Sequence, residues 1–338
     1  MDNQKKYIIY WVALGLLLLQ ACGGSQSDKK KEAQKEPTRK EIVAPAFNAD
    51  KAYEYLEKQV AFGPRVPNTP AHDSTKNYII NTLEQMEASV KTQVFEAKTY
   101  DNETWNLTNI IASIAPDKKK RILLAAHWDS RKIADKDTER TNEPIDGAND
   151  GASGVAVAME IIRTIQQASN KPNVGIDVIF FDGEDNGEPN GRRVQTPDPD
   201  GSWWCLGSQY WSKNKHTAGY SAYYGILFDM VGAQDASFHM EGFSMEFAPS
   251  IVNKVWNAAE RIGYGLYFVP NEVAPITDDH YYVNKYAKIP MIDIIAYDPL
   301  SDQFFPDYHH THDDNMDIIS KETLKAVGQT VLQVIYEE

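Results

Sequence analysis

Apolar positions in this chain switch between two periods. Between residues 48 and 60 the spacing is helical: Tyr53, Leu56 and Val60 fall on one stripe, and Asn48 stands where a cap is needed. FGPRVPNTP at 62–70 then breaks regular structure with its prolines, and a second helix from about Ala71 or His72 places Ile79, Leu83 and Met86 on one face. Strands follow. Residues 90–95 alternate with period two, 107–114 is strand-like, and the unbroken apolar run 122–126 reads as a central strand covered on both faces. The same alternation continues to the carboxyl end. Helices are predicted over 151–166, 251–262, 279–286 and 320–336, and strands over 176–181, 225–228, 266–269 and 291–295. Helix and strand in turn predict an α/β fold, with a mixed, mostly parallel central sheet covered by helices on both faces. Residues 186–201, rich in Pro, Gly, Asn and Asp, form an irregular loop, and Leu206-Gly207-Ser208 reads as a turn.

The amino-terminal residues do not fit that pattern. Lys5 and Lys6 precede an apolar stretch from Tyr7 to Leu19, short for a membrane span, that ends in Leu19-Gln20-Ala21-Cys22. That tetrapeptide resembles a bacterial lipobox. It implies a signal peptide over 1–21, lipid on Cys22, and a mature protein held in the bacterial cell envelope, facing the periplasm. Residues 22–44 are too polar to bury a core and read as a linker, which leaves 45–338 as one catalytic-sized domain. With Cys22 lipidated, Cys205 has no partner for an intramolecular disulfide.

Charge excludes one class of function. Residues 1–44 hold 8 basic and 5 acidic side chains, so the remainder carries a net charge of −17 against −14 for the whole chain. Such a domain has no electrostatic footprint for nucleic acid.

The chemistry lies in acidic and histidine clusters that directly follow the apolar runs: HWD at 127–129, GANDGASG at 147–154, FFDGED at 180–185, FDMVGA at 228–233, TDDH at 277–280 and HHTHDD at 309–314. Carboxylates and imidazoles at the carboxyl ends of parallel strands suit a cation such as zinc, on the edge where open α/β sheets place their sites. At a strand end, one of Glu184 and Asp185 can bind metal while its neighbour stays free to move protons. Asp150 can bind metal at the start of a helix, and it or Asn149 can equally cap that helix. His127 suits zinc, with Asp129 two residues on to orient its ring. Among His309, His310 and His312, spacing alone selects none.

Taken together, FGPRVP, HWDS, GANDGASG, FFDGED, the Leu206-Gly207-Ser208 turn, FDMVGA, DDH followed by IP, and FPDYHHTHDDN resemble the M28 metallopeptidase clan and, within it, the glutaminyl cyclases. The match is collinear from about Phe62 to the carboxyl end. The resemblance implies a zinc-exopeptidase-like fold and one zinc per chain, held by Asp150, Asp185 and His310. It also implies Glu184 as the catalytic acid/base, with Asp229 and Asp278 as buried carboxylates of a proton network. His127, Asp150, Asp185, Asp229 and His310 would equally make the five-ligand set of a two-zinc aminopeptidase. Asp278 favours the cyclase, because aminopeptidases of the clan usually carry Ser or Thr there.

Compared with the animal cyclases, Asp185 replaces a ligand Glu, His309 replaces Trp, and Asp293 stands where a network His is usual. Trp128, Trp203, Trp204, Trp211 and Tyr308 are candidates for the pocket, each with core packing as its ordinary alternative. The implied activity is conversion of amino-terminal Gln of peptides to pyroglutamate with release of ammonia. A two-zinc aminopeptidase and a non-catalytic binding lipoprotein of the same fold are the alternatives.

Overall fold

A computed structural model describes residues 42–198, 201–301 and 304–338. The expected signal peptide, lipid-bearing Cys22 and nearly all of the linker lie outside them. Among the described residues no helix is long and apolar enough to cross a membrane.

Helices α1 (Ala49–Val60) and α2 (Pro70–Gln85) come first, capped by the side chains of Asn48 and Thr69. α2 begins a residue ahead of the expected start because Pro70 occupies the first turn, where its missing N–H costs nothing. One sheet has the order β1 (Ser89–Lys98), β2 (Thr104–Ile114), β4 (Gly175–Phe181), β3 (Arg121–His127), β5 (Tyr224–Asp229), β8 (Met291–Ile295). β4, β3, β5 and β8 are parallel, and β1 and β2 are antiparallel. The mixed, mostly parallel sheet expected from the sequence is therefore present.

Alternation along β3 sorts its side chains onto two faces. Ile122, Leu124 and Ala126 join the larger core with α3 (Ala152–Gln167), α6 (Pro249–Arg261) and α8 (Lys321–Tyr336), while Leu123 and Ala125 join a smaller one with Trp211, Val283 and Ile289. Burial on both faces explains the unbroken apolar run. α3 lies so close to β5 that a Cβ on Gly154 would stand 2.3 Å from the carbonyl oxygen of Phe228. Even alanine there would force the layers apart, at a cost of about 1–3 kcal/mol.

Several short elements differ from expectation. The strand predicted at 266–269 is β7 (Phe268–Glu272), paired with β6 (Phe238–Met240) in a second small sheet that leaves Leu266 exposed. The helix predicted over 279–286 is a single α turn, α7 (Asp279–Tyr282), followed by a π turn at Val283–Ala287. Leu206-Gly207-Ser208 opens a helix, α4 (Leu206–Lys213), and α5 (Gly242–Phe247) was not foreseen.

Candidate metal centre and active site

Register brings the clusters together at one sheet edge. His127 ends β3 opposite Phe181, which ends β4 and leads into Asp182-Gly183-Glu184-Asp185, and Asp229 ends β5 beside Ile295 of β8. A cavity of about 460 Å³ opens there, and Asp150, Glu184, Asp185, Asp229, Asp278 and His310 are all on its wall.

Each ligand candidate is aimed from behind. Asp314 accepts the backbone N–H groups of Asn149 (2.6 Å) and Asp150 (3.0 Å), and Asn149 Oδ1 accepts those of Gly232 and Ala233. Neither Asn149 nor Asp150 caps α3. Its cap is Gly151, without a side-chain bond and at φ 91°, where a Cβ would stand 2.7 Å from the Asp129 carbonyl. Arg65, fully buried, donates to the carbonyls of Trp128, Gly147 and Asp150, which gives the FGPRVP segment its role in the site. Asp129 accepts the backbone N–H groups of both Glu184 (3.0 Å) and Asp185 (3.2 Å) and the Asn186 amide, and its carboxylate lies 3.6 Å from His127 Nδ1.

Donor atoms of Asp150, His309 and His310 lie within 4.8 Å of one another, and Asp185 joins them through His310. His310 Nε2 lies 2.9 Å from Asp185 Oδ1 and 3.8 Å from Asp150 Oδ2. His310 adopts φ 63°, a left-handed conformation rare for a non-glycine residue and typical of a constrained site. Its ring stacks on Trp204 at 5.7 Å, and Arg131, which is paired with Asp135, lies over the same indole at 4.6 Å. His309 Nε2 is 3.7 Å from Asp150 Oδ2, whereas His312 is tied to Asp137 at 2.6 Å. The choice among the three histidines therefore narrows to His309 and His310, and His310 alone reaches both carboxylates.

The electrostatics describe a pocket short of positive charge. Burial, then Asp150, push the Asp185 carboxyl well above its usual range, and its Oδ2 is buried without a hydrogen-bond partner. Burial holds His309 and His310 well below the usual imidazole range, so both are neutral, the form that binds metal. Asp150 with the two imidazoles, and Asp185 beside His310, are donors of the kind that fit zinc. Next to them His127 Nε2 is 2.9 Å from Asp150 Oδ1 and 3.4 Å from Asp229 Oδ1. Burial opposes ionisation of His127, yet the carboxylates of Asp129, Asp150 and Asp229, 2.9–3.6 Å from its ring nitrogens, push its pKa well up.

Glu184 is 9% exposed, and burial, with Asp278 and Asp185 reinforcing it and His127 opposing, pushes its carboxyl well above the usual range. The Cys205 thiol, which sequence reading left without a role, donates to Glu184 Oε1 at 3.0 Å. Polar atoms of Glu184, Cys205 and Asp278 lie within 4.8 Å of one another, as do those of Asp278, His280 and Asp293. Asp278 is thus shared between the base and a deeper cluster in which His280 bonds Glu241 at 3.1 Å. Asp229 Oδ1 lies 3.4 Å from His127 Nε2, with Asp278 also acting on it from within the same cluster of carboxylates. Burial, with Asp278 and Asp150, lifts its pKa to about 7.

Of the candidate aromatics only Trp204 lines the cavity, joined by Phe305. Trp128 stacks on His72 and donates to Thr108, Trp211 donates to His216, Trp203 donates to Val194, and the Tyr308 hydroxyl accepts from Asn149.

The sequence model of peptidase family M28 matches residues 109–335. A solved glutaminyl cyclase from Bacteroides thetaiotaomicron is 50% identical, covers 87% of this chain and 99% of its own, and superposes with a TM-score of 0.82. A structure described as a leucine aminopeptidase precursor, from the same species, is 49% identical, covers 88% and 99%, and has a TM-score of 0.82. The glutaminyl-peptide cyclotransferase of Drosophila melanogaster is 24% identical over 181 residues, 52% of this chain, and the chain spans about half (47%) of that relative's length.

Proposed function

The chain belongs to peptidase family M28, and on that premise we propose that it is a zinc-dependent glutaminyl-peptide cyclotransferase acting on peptides with amino-terminal Gln. The observation that carries this reading is Asp278. A buried carboxylate beside Glu184, on the cavity wall, gives the substrate's α-amine an acceptor next to the base.

Asp150, Asp185 and His310 would hold the metal. When bound, zinc polarises the side-chain amide carbonyl and stabilises negative charge on its oxygen. The chain's own residues do the rest. Asp278 orients the amine. Its nitrogen bonds to the side-chain amide carbon, the bond from that carbon to the amide nitrogen breaks, and ammonia leaves. Glu184 takes the proton from the attacking amine and returns it to the departing nitrogen, a task for which an upward-shifted carboxyl is suited. Asp129 keeps Glu184 and Asp185 in register, and Asp293 backs Asp278. No water is consumed.

One observation favours a second reading. Donor atoms of His127, Asp150 and Asp229 lie within 4.8 Å of one another, as a second metal in an aminopeptidase would require. Mass spectrometry of Gln-peptides and Leu-peptides incubated with the protein, with metal analysis, separates the two. Loss of ammonia from Gln-peptides with about one zinc per chain is expected, whereas two tightly held zinc ions and release of Leu would establish the aminopeptidase. Lipid on Cys22 and an envelope location belong to the same proposal, supported by the Leu19–Cys22 motif.

A further inference from the structure

The cavity has an exit on one side. Its edge at Asp135, Lys136, Asn190, Phe305 and His309 is shared with a second depression that runs on past Pro306 and Asp307. Ile276, Thr277 and Asp278 stand on the cavity wall but not on that depression. A Gln side chain directed at Asp150, Asp185 and His310, with its amine toward Glu184 and Asp278, sends the rest of the peptide out across Lys136.

Lys136 differs from its neighbours. Arg131 is paired with Asp135, and Lys132 with Asp101 and Glu103, but no carboxylate of the described residues lies within ion-pair distance of Lys136. Its ammonium donates instead to Nδ1 of His309 at 2.6 Å and lies 5.4 Å from the centre of the Phe305 ring. It is the one lysine or arginine on a wall that otherwise carries six carboxylates. Asp135 is occupied by Arg131, and Asp307 lies exposed at the outer rim. A cation half-withdrawn from water, with a neutral imidazole as its partner, gains most from an anion that arrives along the cavity.

We propose that Lys136 determines specificity at the residue after the amino-terminal Gln by pairing with its carboxylate, so that Gln-Glu and Gln-Asp peptides are preferred over those with a neutral or basic second residue. This rests on the cyclase reading. The domain's net negative charge works in the opposite sense, but at physiological salt that field is screened beyond about 8 Å, and the contact with Lys136 is shorter.

The test compares kcat/KM for ammonia release from Gln-Glu-Ala-amide, Gln-Gln-Ala-amide and Gln-Lys-Ala-amide. Wild-type protein should favour the Glu peptide over the Gln peptide about fivefold, mainly through KM, and the Lys peptide should be the poorest. Lys136→Met and Lys136→Gln should bring the three values together, and Lys136→Arg should keep their order. Equal values in the wild type, or a preference that survives both neutral substitutions, would overturn the proposal. Should Lys136→Met fail to fold, the Gln and Arg variants decide. Absence of ammonia from all three peptides would instead defeat the cyclase reading itself, with Lys136 falling alongside it.

Discussion

The two walls of the cavity use the same residue type and are built in opposite ways. On the metal wall, Asp129 and Asp314 spend their oxygens on backbone N–H groups, which fixes the segments that carry Asp150 and Asp185 at the cavity. On the other wall, Asp278 stands beside both Asp279 and Asp293, and buried oxygens of all three lack hydrogen-bond donors. Burial pushes Asp279 and Asp293 well above the usual carboxyl range, with Asp278 adding to it in both cases. The carboxylates behind one wall hold backbone N–H groups, and those behind the other stand beside further carboxylates. Carboxylates become ligands or proton carriers according to what stands behind them.

The sharpest way to break this division is at the residue between the walls. Glu184→Gln should lower turnover about 10³-fold, within the range for loss of a general base, while bound zinc, measured by metal analysis after dialysis, stays at the wild-type level. Turnover near normal would remove Glu184 from its role. Asp278→Ser tests the proton wall alone. It should cost about 100-fold in kcat and leave zinc content unchanged, and loss of zinc would show that the walls are not separable. Asp314→Ala tests the metal wall from behind by leaving the N–H groups of Asn149 and Asp150 without an acceptor. Zinc should then be lost to a competing chelator at about 10- to 100-fold lower chelator concentration, along with a lower melting temperature. Cys22→Ser should have the smallest catalytic effect, an unchanged kcat/KM, while moving the protein from the membrane fraction to the soluble one. Membrane retention would end the lipid reading.

Residues that act through chain order were legible in the sequence, and those that act through space were not. β3, β4 and α3 announce themselves because burial on both faces demands unbroken apolar or small-residue runs, and the clusters at their ends then mark the sheet edge. Arg65 carried no such signal. Its work is to gather carbonyls from residues 128, 147 and 150, contacts made only after the chain has folded back on itself. Asp313 and Asp314 are adjacent and alike in sequence, yet one is exposed and the other fully buried under the Asn149–Asp150 turn. Trp128 adjoins His127 in sequence and Trp211 lies on α4, and both rings point into the core, the alternative open to each from the start. β6 and α5 are too short for periodicity to register.

Asp129 has a genetic consequence. One side chain fixes both Glu184 and Asp185, so the proton carrier and a metal ligand share a single support. A change at position 129 cannot adjust turnover without also disturbing metal loading, and the two traits cannot be selected independently through it. Lineages of this fold that alter their chemistry must do so from the Asp278 side, where a neighbour can be exchanged while the metal wall keeps its own anchors.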